Sequence, residues 1–285
     1  MKGRKNMAKK IGLVGIYFPG AYDALHENVP EGFELVDALS PEAYGNLADC
    51  EYLISRLDID PNIINHTPNV KFWQRWGAGF DHVDLKAWGE RGIPIATCPG
   101  VNSGIVAELA IMLMLAGYRN LLQINRQLRA GHWPRTEYFG RSFMIKGKTV
   151  GVLGLGHIGK KVAALATAFG ANVIYYDIVR QTEQEEKFGY RFVDFDTLLR
   201  ESDIYTIHCP LNEETRGMIG AEQFAQMKPT AMLINTARGP IVDEAALIDA
   251  LTTGKIATAG LDTYEREPLP KDHPLPVSYT HLRAH

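Results

Sequence analysis

Apolar residues along this chain fall into short β-branched or aromatic runs that alternate with segments of helical or turn character. In the N-terminal part the runs are Lys10 to Ile16, Phe33 to Ala38, Glu51 to Ser55, Val70 to Trp76 and Ile93 to Thr97, a rhythm that predicts a parallel sheet. From about Ile105 to Arg129 the apolar periodicity runs without interruption and stops near Gly131. It predicts one long helix that bridges two domains. Beyond it, Thr149 to Leu153, Val173 to Tyr176, Ser202 to Cys209, Ala231 to Asn235 and Ile256 to Asp262 read as strands of a second sheet. The economical fold is α/β, with two doubly wound parallel-sheet domains and a boundary near residue 104.

The stretch from Thr149 to Asp177 carries the clearest chemistry. A strand enters Gly154-Leu155-Gly156-His157-Ile158-Gly159, a helix follows to Gly170, and a second strand delivers Asp177 at its tip. In such a unit Gly154 permits the tight turn, Gly156 lets backbone approach a pyrophosphate, and Gly159 allows close packing of helix on strand. The helix N-terminus adds free N–H groups and a positive dipole end. A carboxylate at Asp177 accepts from a ribose 2′-OH and repels a 2′-phosphate, so NAD is favoured over NADP.

Composition narrows the field. The chain has 285 residues, 46% hydrophobic and 22% charged, and 30 basic against 33 acidic residues give −3, which offers no nucleic-acid surface. The longest apolar run, near Ala107 to Ala116, is too short to span a bilayer, and MKGRKNMAKK lacks the apolar core of a signal peptide. Cytoplasmic residence is the expectation. Cys50, Cys98 and Cys209 lie far apart with no CxxC pair, so reduced thiols are expected and neither a disulfide framework nor a metal site.

Six segments in order then resemble one family: Gly77 to Asp84 (GAGFDHVD), Pro99 to Ser103 followed by Val106-Ala107-Glu108, the GLGHIG loop, His208 to Leu211 with Glu214-Thr215-Arg216, Ile234 to Gly239 (INTARG), and Leu261-Asp262-Thr263 through Glu267-Pro268. Across roughly residues 8 to 275 the chain resembles the D-isomer-specific 2-hydroxyacid dehydrogenases. The resemblance implies a flavodoxin-like substrate domain over residues 1–104 and a Rossmann NAD-binding domain over residues 105–276. It also implies reversible reduction of a 2-keto acid in a cleft between them. By it, Arg238 anchors the substrate carboxylate and polarises the keto oxygen, a role suited to a planar, permanently charged fork. Backbone N–H groups around Ala78 and Gly79, with Asn102, hold the same substrate, and Arg56 stands where phosphoglycerate dehydrogenases place an arginine near the substrate's distal end. Pro210, Thr215, Thr236, Ala237 and Arg238 line the cofactor with His157 and Ile158, and Asp262 meets the nicotinamide carboxamide. His82 and His208 read as structural. The segment after the long helix, Gly131-His132-Trp133-Pro134 with Tyr138-Phe139, resembles the part through which members form two-fold dimers, which implies a homodimer in the full-length parent.

The proton donor is where the chain departs from the family. Members pair a carboxylate, matched here by Glu267, with a histidine further along, so that imidazolium protonates the new alkoxide. Here Asp272-His273-Pro274-Leu275-Pro276 is followed by Val277 to His285, VSYTHLRAH, which matches the in-frame translation of a sequencing-library adapter. Residues 277–285 are therefore expected to be a non-native tail, the NAD domain to be incomplete at its C-terminus, and turnover to be poor, with neither His281 nor His285 in catalytic context. An alternative class, an NAD-sensing corepressor-type protein on the same fold, would keep the same residues.

Overall fold

The computed structural model describes residues 8–57 and 59–275. Between Asn102 and Ser103 the chain divides into two compact units. The first contains β1 (Lys9–Gly15), α1 (Pro19–Glu27), β2 (Phe33–Ala38), β3 (Tyr52–Arg56), β4 (Phe72–Arg75), α2 (Leu85–Glu90) and β5 (Ile95–Ala96). Its strands pair in parallel in the order β2-β1-β3-β4-β5, the flavodoxin-like arrangement. Two crossovers are 3-10 segments, Pro41–Asp49 and Pro61–His66, each begun by a proline that cannot donate a backbone N–H. They and α2 cover a core that includes Leu47, Leu53, Ile63, Trp73 and Trp88.

The second unit holds α3 (Ser103–Tyr118), α4 (Leu121–Arg129), β6 (Thr149–Leu153), α5 (His157–Ala168), β7 (Asn172–Tyr176), α6 (Thr182–Phe188), β8 (Arg191–Phe192), α7 (Phe195–Glu201), β9 (Ile204–Ile207), α8 (Ala221–Gln226), β10 (Met232–Asn235), α9 (Glu244–Thr252) and β11 (Thr258–Leu261). Its six strands run β11-β10-β9-β6-β7-β8. Numbered within the unit, that is the dinucleotide-fold order 3-2-1-4-5-6, with the order reversing between β6 and β9. β9, β10 and β11 are buried at every position, because helices cover both faces of a parallel sheet. Two apolar clusters lie around it, one with α3 and α5, the other with α7, α8 and α9.

The single helix expected from about Ile105 to Arg129 is instead two, bent by 60° at Arg119-Asn120. Asn120 adopts a left-handed backbone, φ 50°, and its side-chain amide donates to the Arg141 carbonyl at 2.8 Å and the Ser142 hydroxyl at 3.2 Å. Asparagine tolerates that conformation with little strain, so the chain turns without a glycine or proline to mark the place. Among the described residues no single helix is long and apolar enough to cross a membrane. The tail expected at residues 277–285, with His281 and His285, lies outside the described residues.

Candidate active site

Strand register places the site. Tyr176, Leu153, Ile207, Asn235 and Leu261 form one row of paired positions across β7, β6, β9, β10 and β11. All five strands are parallel, so the residues that follow each emerge at one edge of the sheet. These are Asp177, Gly154, His208, Thr236 and Asp262, at the C-terminal edge flanking the β6/β9 switch point, where ligands bind in open α/β sheets.

At the centre of that edge the glycine loop is fixed by close approach. Gly154 has φ +89°, and a Cβ there would come within 2.8 Å of the Cys209 nitrogen. A Cβ on Gly159 would lie 2.1 Å from the Gly154 carbonyl oxygen, so only glycine lets α5 start this near the loop. Gly156 is different: a Cβ would meet nothing within 4 Å, and both Gly156 and His157 are exposed. The N-terminus of α5 therefore opens to solvent, with Ile158 half-buried beside it and no acidic residue in its first turn. That suits a bound anion. The Asp177 carboxylate accepts from Leu155 N–H at 2.7 Å and Val179 N–H at 3.0 Å, which ties the acid to the loop. Glycine cradle, open helix end and carboxylate together fit the diphosphate and adenosine ribose of a dinucleotide.

The loop after β9 is held by Thr215, whose hydroxyl donates to the Pro210 carbonyl at 2.7 Å while Asn212 and Thr215 exchange backbone-to-side-chain bonds of 2.9 and 2.8 Å. His208 begins that loop. Its Nε2 lies 2.8 Å from the Thr206 hydroxyl, its Nδ1 is sealed from solvent without a hydrogen-bond partner, and burial pushes the imidazole pKa down to about 3. It is neutral at working pH and no proton donor. Since the unfolded chain takes up this proton near 6.5 and the folded chain only near 3, stability should fall as pH drops through that window. We expect a loss of about 1–2 kcal/mol by roughly pH 5. Urea midpoints measured against pH should show this slope flattened in His208→Asn, and an unchanged slope would refute it.

After β10, the buried Asn235 side chain accepts from Ala237 N–H at 3.0 Å and donates to the Arg238 carbonyl at 2.9 Å, locking the Thr236-Ala237-Arg238 turn. Arg238 is half-buried and donates to the Ala237 carbonyl at 2.7 Å. Gly239 follows so close to the chain after β11 that a Cβ would lie 1.9 Å from the Tyr264 carbonyl. Tyr264 N–H in turn donates to the Glu267 carboxylate at 2.9 Å. The segments bearing Arg238 and Glu267 are thus packed together, next to Asp262, whose N–H donates to Asn235 at 3.0 Å. Glu244, at the start of α9, fastens the far side: it pairs with His273 at 2.8 Å and accepts from Glu265 N–H at 3.2 Å.

In the first unit, Arg56 ends β3, and the 77–80 loop and Asn102 come after β4 and β5, again at the C-terminal edge of their sheet. Ala78 and Asn102 are exposed and Gly79 is half-buried. Arg56 donates to the Ile16 carbonyl at 2.9 Å and stacks 5.1 Å from the Phe18 ring. Arg75, which no sequence motif marks, is 8% exposed and donates to the carbonyls of Gly79 at 3.3 Å and Leu57 at 3.1 Å. A buried cation thereby steadies the 77–80 loop. Asn235, Gly239 and Glu244 were also missed as site-builders; a polar residue inside an apolar strand run was the available signal for Asn235 and Arg75.

The sequence profile of the D-isomer specific 2-hydroxyacid dehydrogenase NAD-binding domain matches residues 111–284. The chain belongs to that family. Among curated relatives, the D-3-phosphoglycerate dehydrogenase of Archaeoglobus fulgidus is 44% identical over 221 residues, 78% of this chain but 42% of that protein. The glyoxylate reductase of Thermofilum pendens is 42% identical over 239 residues, covering 82% of this chain and 70% of the relative. Among solved structures, an NAD-dependent formate dehydrogenase from Staphylococcus aureus in complex with NAD superposes with a TM-score of 0.84 at 29% identity, over 96% of this chain and 87% of that one. The 2-hydroxyacid dehydrogenase family fold and an NAD cofactor therefore agree with the glycine loop and Asp177.

Proposed function

We propose that the protein interconverts a D-2-hydroxy acid and its 2-keto acid with NAD as hydride carrier. The observation that carries this reading is the packing of the Arg238 turn against the Glu267 segment at the same sheet edge as the glycine loop and Asp177. When bound, the nicotinamide supplies or accepts the hydride. Gly154, Gly156, Gly159, His157, Ile158 and Asp177 hold the dinucleotide, and Pro210, Thr215, Thr236, Ala237 and Asp262 line its course. Arg238 pairs with the substrate carboxylate and aims an N–H at the keto oxygen, stabilising charge where it develops. Ala78, Gly79 and Asn102 receive the carboxylate, with Arg56 selecting at the distal end. Glu267 serves to orient and charge an imidazole donor.

A panel of 2-keto acids, glyoxylate and hydroxypyruvate first, followed by NADH absorbance, tests the reading. We expect slow but measurable reduction. Of the described histidines near these segments, His208 is held neutral and His273 is engaged with Glu244. If neither of these histidines protonates the alkoxide, the lost general-acid help would cost a factor of roughly 10² to 10⁴. Normal turnover abolished by His281→Ala or His285→Ala would overturn the slow-turnover expectation. Tight NADH binding with no reduction of any acid would favour a sensor.

Assembly is part of the proposal. α4 buries none of its residues in this chain, and Leu121, Leu128, Trp133, Phe139 and Met144 are 55, 44, 76, 77 and 67% exposed. So much apolar surface on one arm fits a second copy of the chain. Sedimentation at micromolar concentration should give a dimer, and a monomer there would defeat the assignment.

A further inference from the structure

The turn that follows Asp177 carries a cation, and the structure keeps it occupied. Arg180 donates to both oxygens of Glu185, Nε to Oε1 at 2.9 Å and an NH2 to Oε2 at 2.8 Å, and its guanidinium lies 5.4 Å from the Phe192 ring centroid. Glu185 is anchored a third time by the Tyr175 hydroxyl at 2.7 Å, and that hydroxyl accepts from Gln181 N–H at 2.8 Å. Tyr175 is fully buried in β7, two residues before Asp177. The Glu185 side chain is 17% exposed, whereas the Arg180 side chain is 58% exposed and has room to swing. Arg180, then Tyr175, holds the Glu185 carboxyl down at about 2, so it is charged at any physiological pH. Glu183 adds a second acid to the first turn of α6, unlike the acid-free start of α5.

We infer that Glu185 is a cofactor-specificity residue: by clamping Arg180 it withholds from a 2′-phosphate the cation that stands three residues past Asp177. An arginine in this turn is the group that would accept the extra phosphate of NADP, in bidentate fashion. Two devices then act together for NAD, repulsion by Asp177 and sequestration of Arg180 by Glu185. The inference rests on the dinucleotide-binding reading above. A merely structural ion pair would stabilise the turn without changing which dinucleotide binds.

Fluorescence titration with NADH and with NADPH separates these, read as the ratio of the two affinities so that a general loss of fold cancels. The wild-type chain should favour NADH by about tenfold or more, and Asp177→Ser should narrow the gap. Adding Glu185→Gln, which can still accept from Tyr175, should move the ratio a further tenfold or so toward NADPH, the worth of one freed charge-assisted contact. Adding Arg180→Gln on top should reverse that gain. If Glu185→Gln does not fold, Glu185→Ala in the same background serves. A ratio that Glu185 substitution leaves unmoved, or a gain that survives loss of Arg180, overturns the inference while leaving NAD binding intact. A wild-type chain that binds neither dinucleotide overturns the functional reading and this inference with it.

Discussion

Gly159→Ala should weaken NADH binding by more than tenfold and also destabilise the second unit. The new Cβ would sit 2.1 Å from the Gly154 carbonyl oxygen, 3.1 Å from its carbon and 3.2 Å from Val152 Cγ1. Backbone has little room to yield there, because Gly154 N–H is bonded to the Tyr176 carbonyl at 2.8 Å and the Cys209 backbone sits so near that even a Cβ on Gly154 would clash with it. The start of α5 must move instead, carrying away the N–H groups that would face the pyrophosphate. Overpacking of this kind costs about 1–3 kcal/mol in stability, and displacing the helix end removes a contact worth a similar amount to an anion. Gly156→Ala is the informative contrast. Its Cβ projects into open space and its φ of −79° suits any residue, so the fold should melt as the wild type does while NADH binding weakens. Thermal melts paired with fluorescence titrations check both; a Gly159→Ala chain that melts and binds normally would show that α5 does not set the phosphate cradle.

What the sequence made legible, and what it hid, follows from the range of the interactions. Thr149 to Asp177 was readable because the strand, loop, helix and acid are consecutive and each residue type answers a local need. The parallel sheets followed from strands spaced by crossovers, and the register row through Leu153, Tyr176, Ile207, Asn235 and Leu261 is a consequence of that spacing. The break at Asn120 was hidden because its cause lies in hydrogen bonds to Arg141 and Ser142, more than twenty residues away. β8 was hidden by its length, Arg191–Phe192 being too short for any period. The seating of Gly239 against Tyr264 depends on two loops from neighbouring strands, a closeness that nothing local to the glycine reveals. Likewise Glu185 resembles any acid on an exposed helix until Tyr175 and Arg180 are seen to converge on it.

Arg238→Lys should lower kcat/KM for the 2-keto acid by roughly 10² to 10³, the usual cost of losing a donor aimed at a developing oxyanion. The substitution keeps the charge and loses the fork. Lysine presents one compact ammonium where arginine binds a carboxylate with two N–H groups and has others left for the carbonyl. The scaffold beneath cannot compensate: the Asn235 side chain pins the turn at both Ala237 and Arg238, and Gly239 is wedged against the Tyr264 backbone, so the main chain has no freedom to bring a shorter donor forward. Because Arg238 is only half-buried, the melting temperature should stay within a few degrees of wild type. Asn235→Ala, 1% exposed and bonded twice, should lose both stability and turnover, which separates a residue that holds the turn from one that acts through it. Measured on the same chain, the ratio of kcat/KM values does not depend on how fast the parent turns over. An Arg238→Lys variant that keeps wild-type kcat/KM would remove Arg238 from the site and leave the 2-keto acid assignment without its anchor.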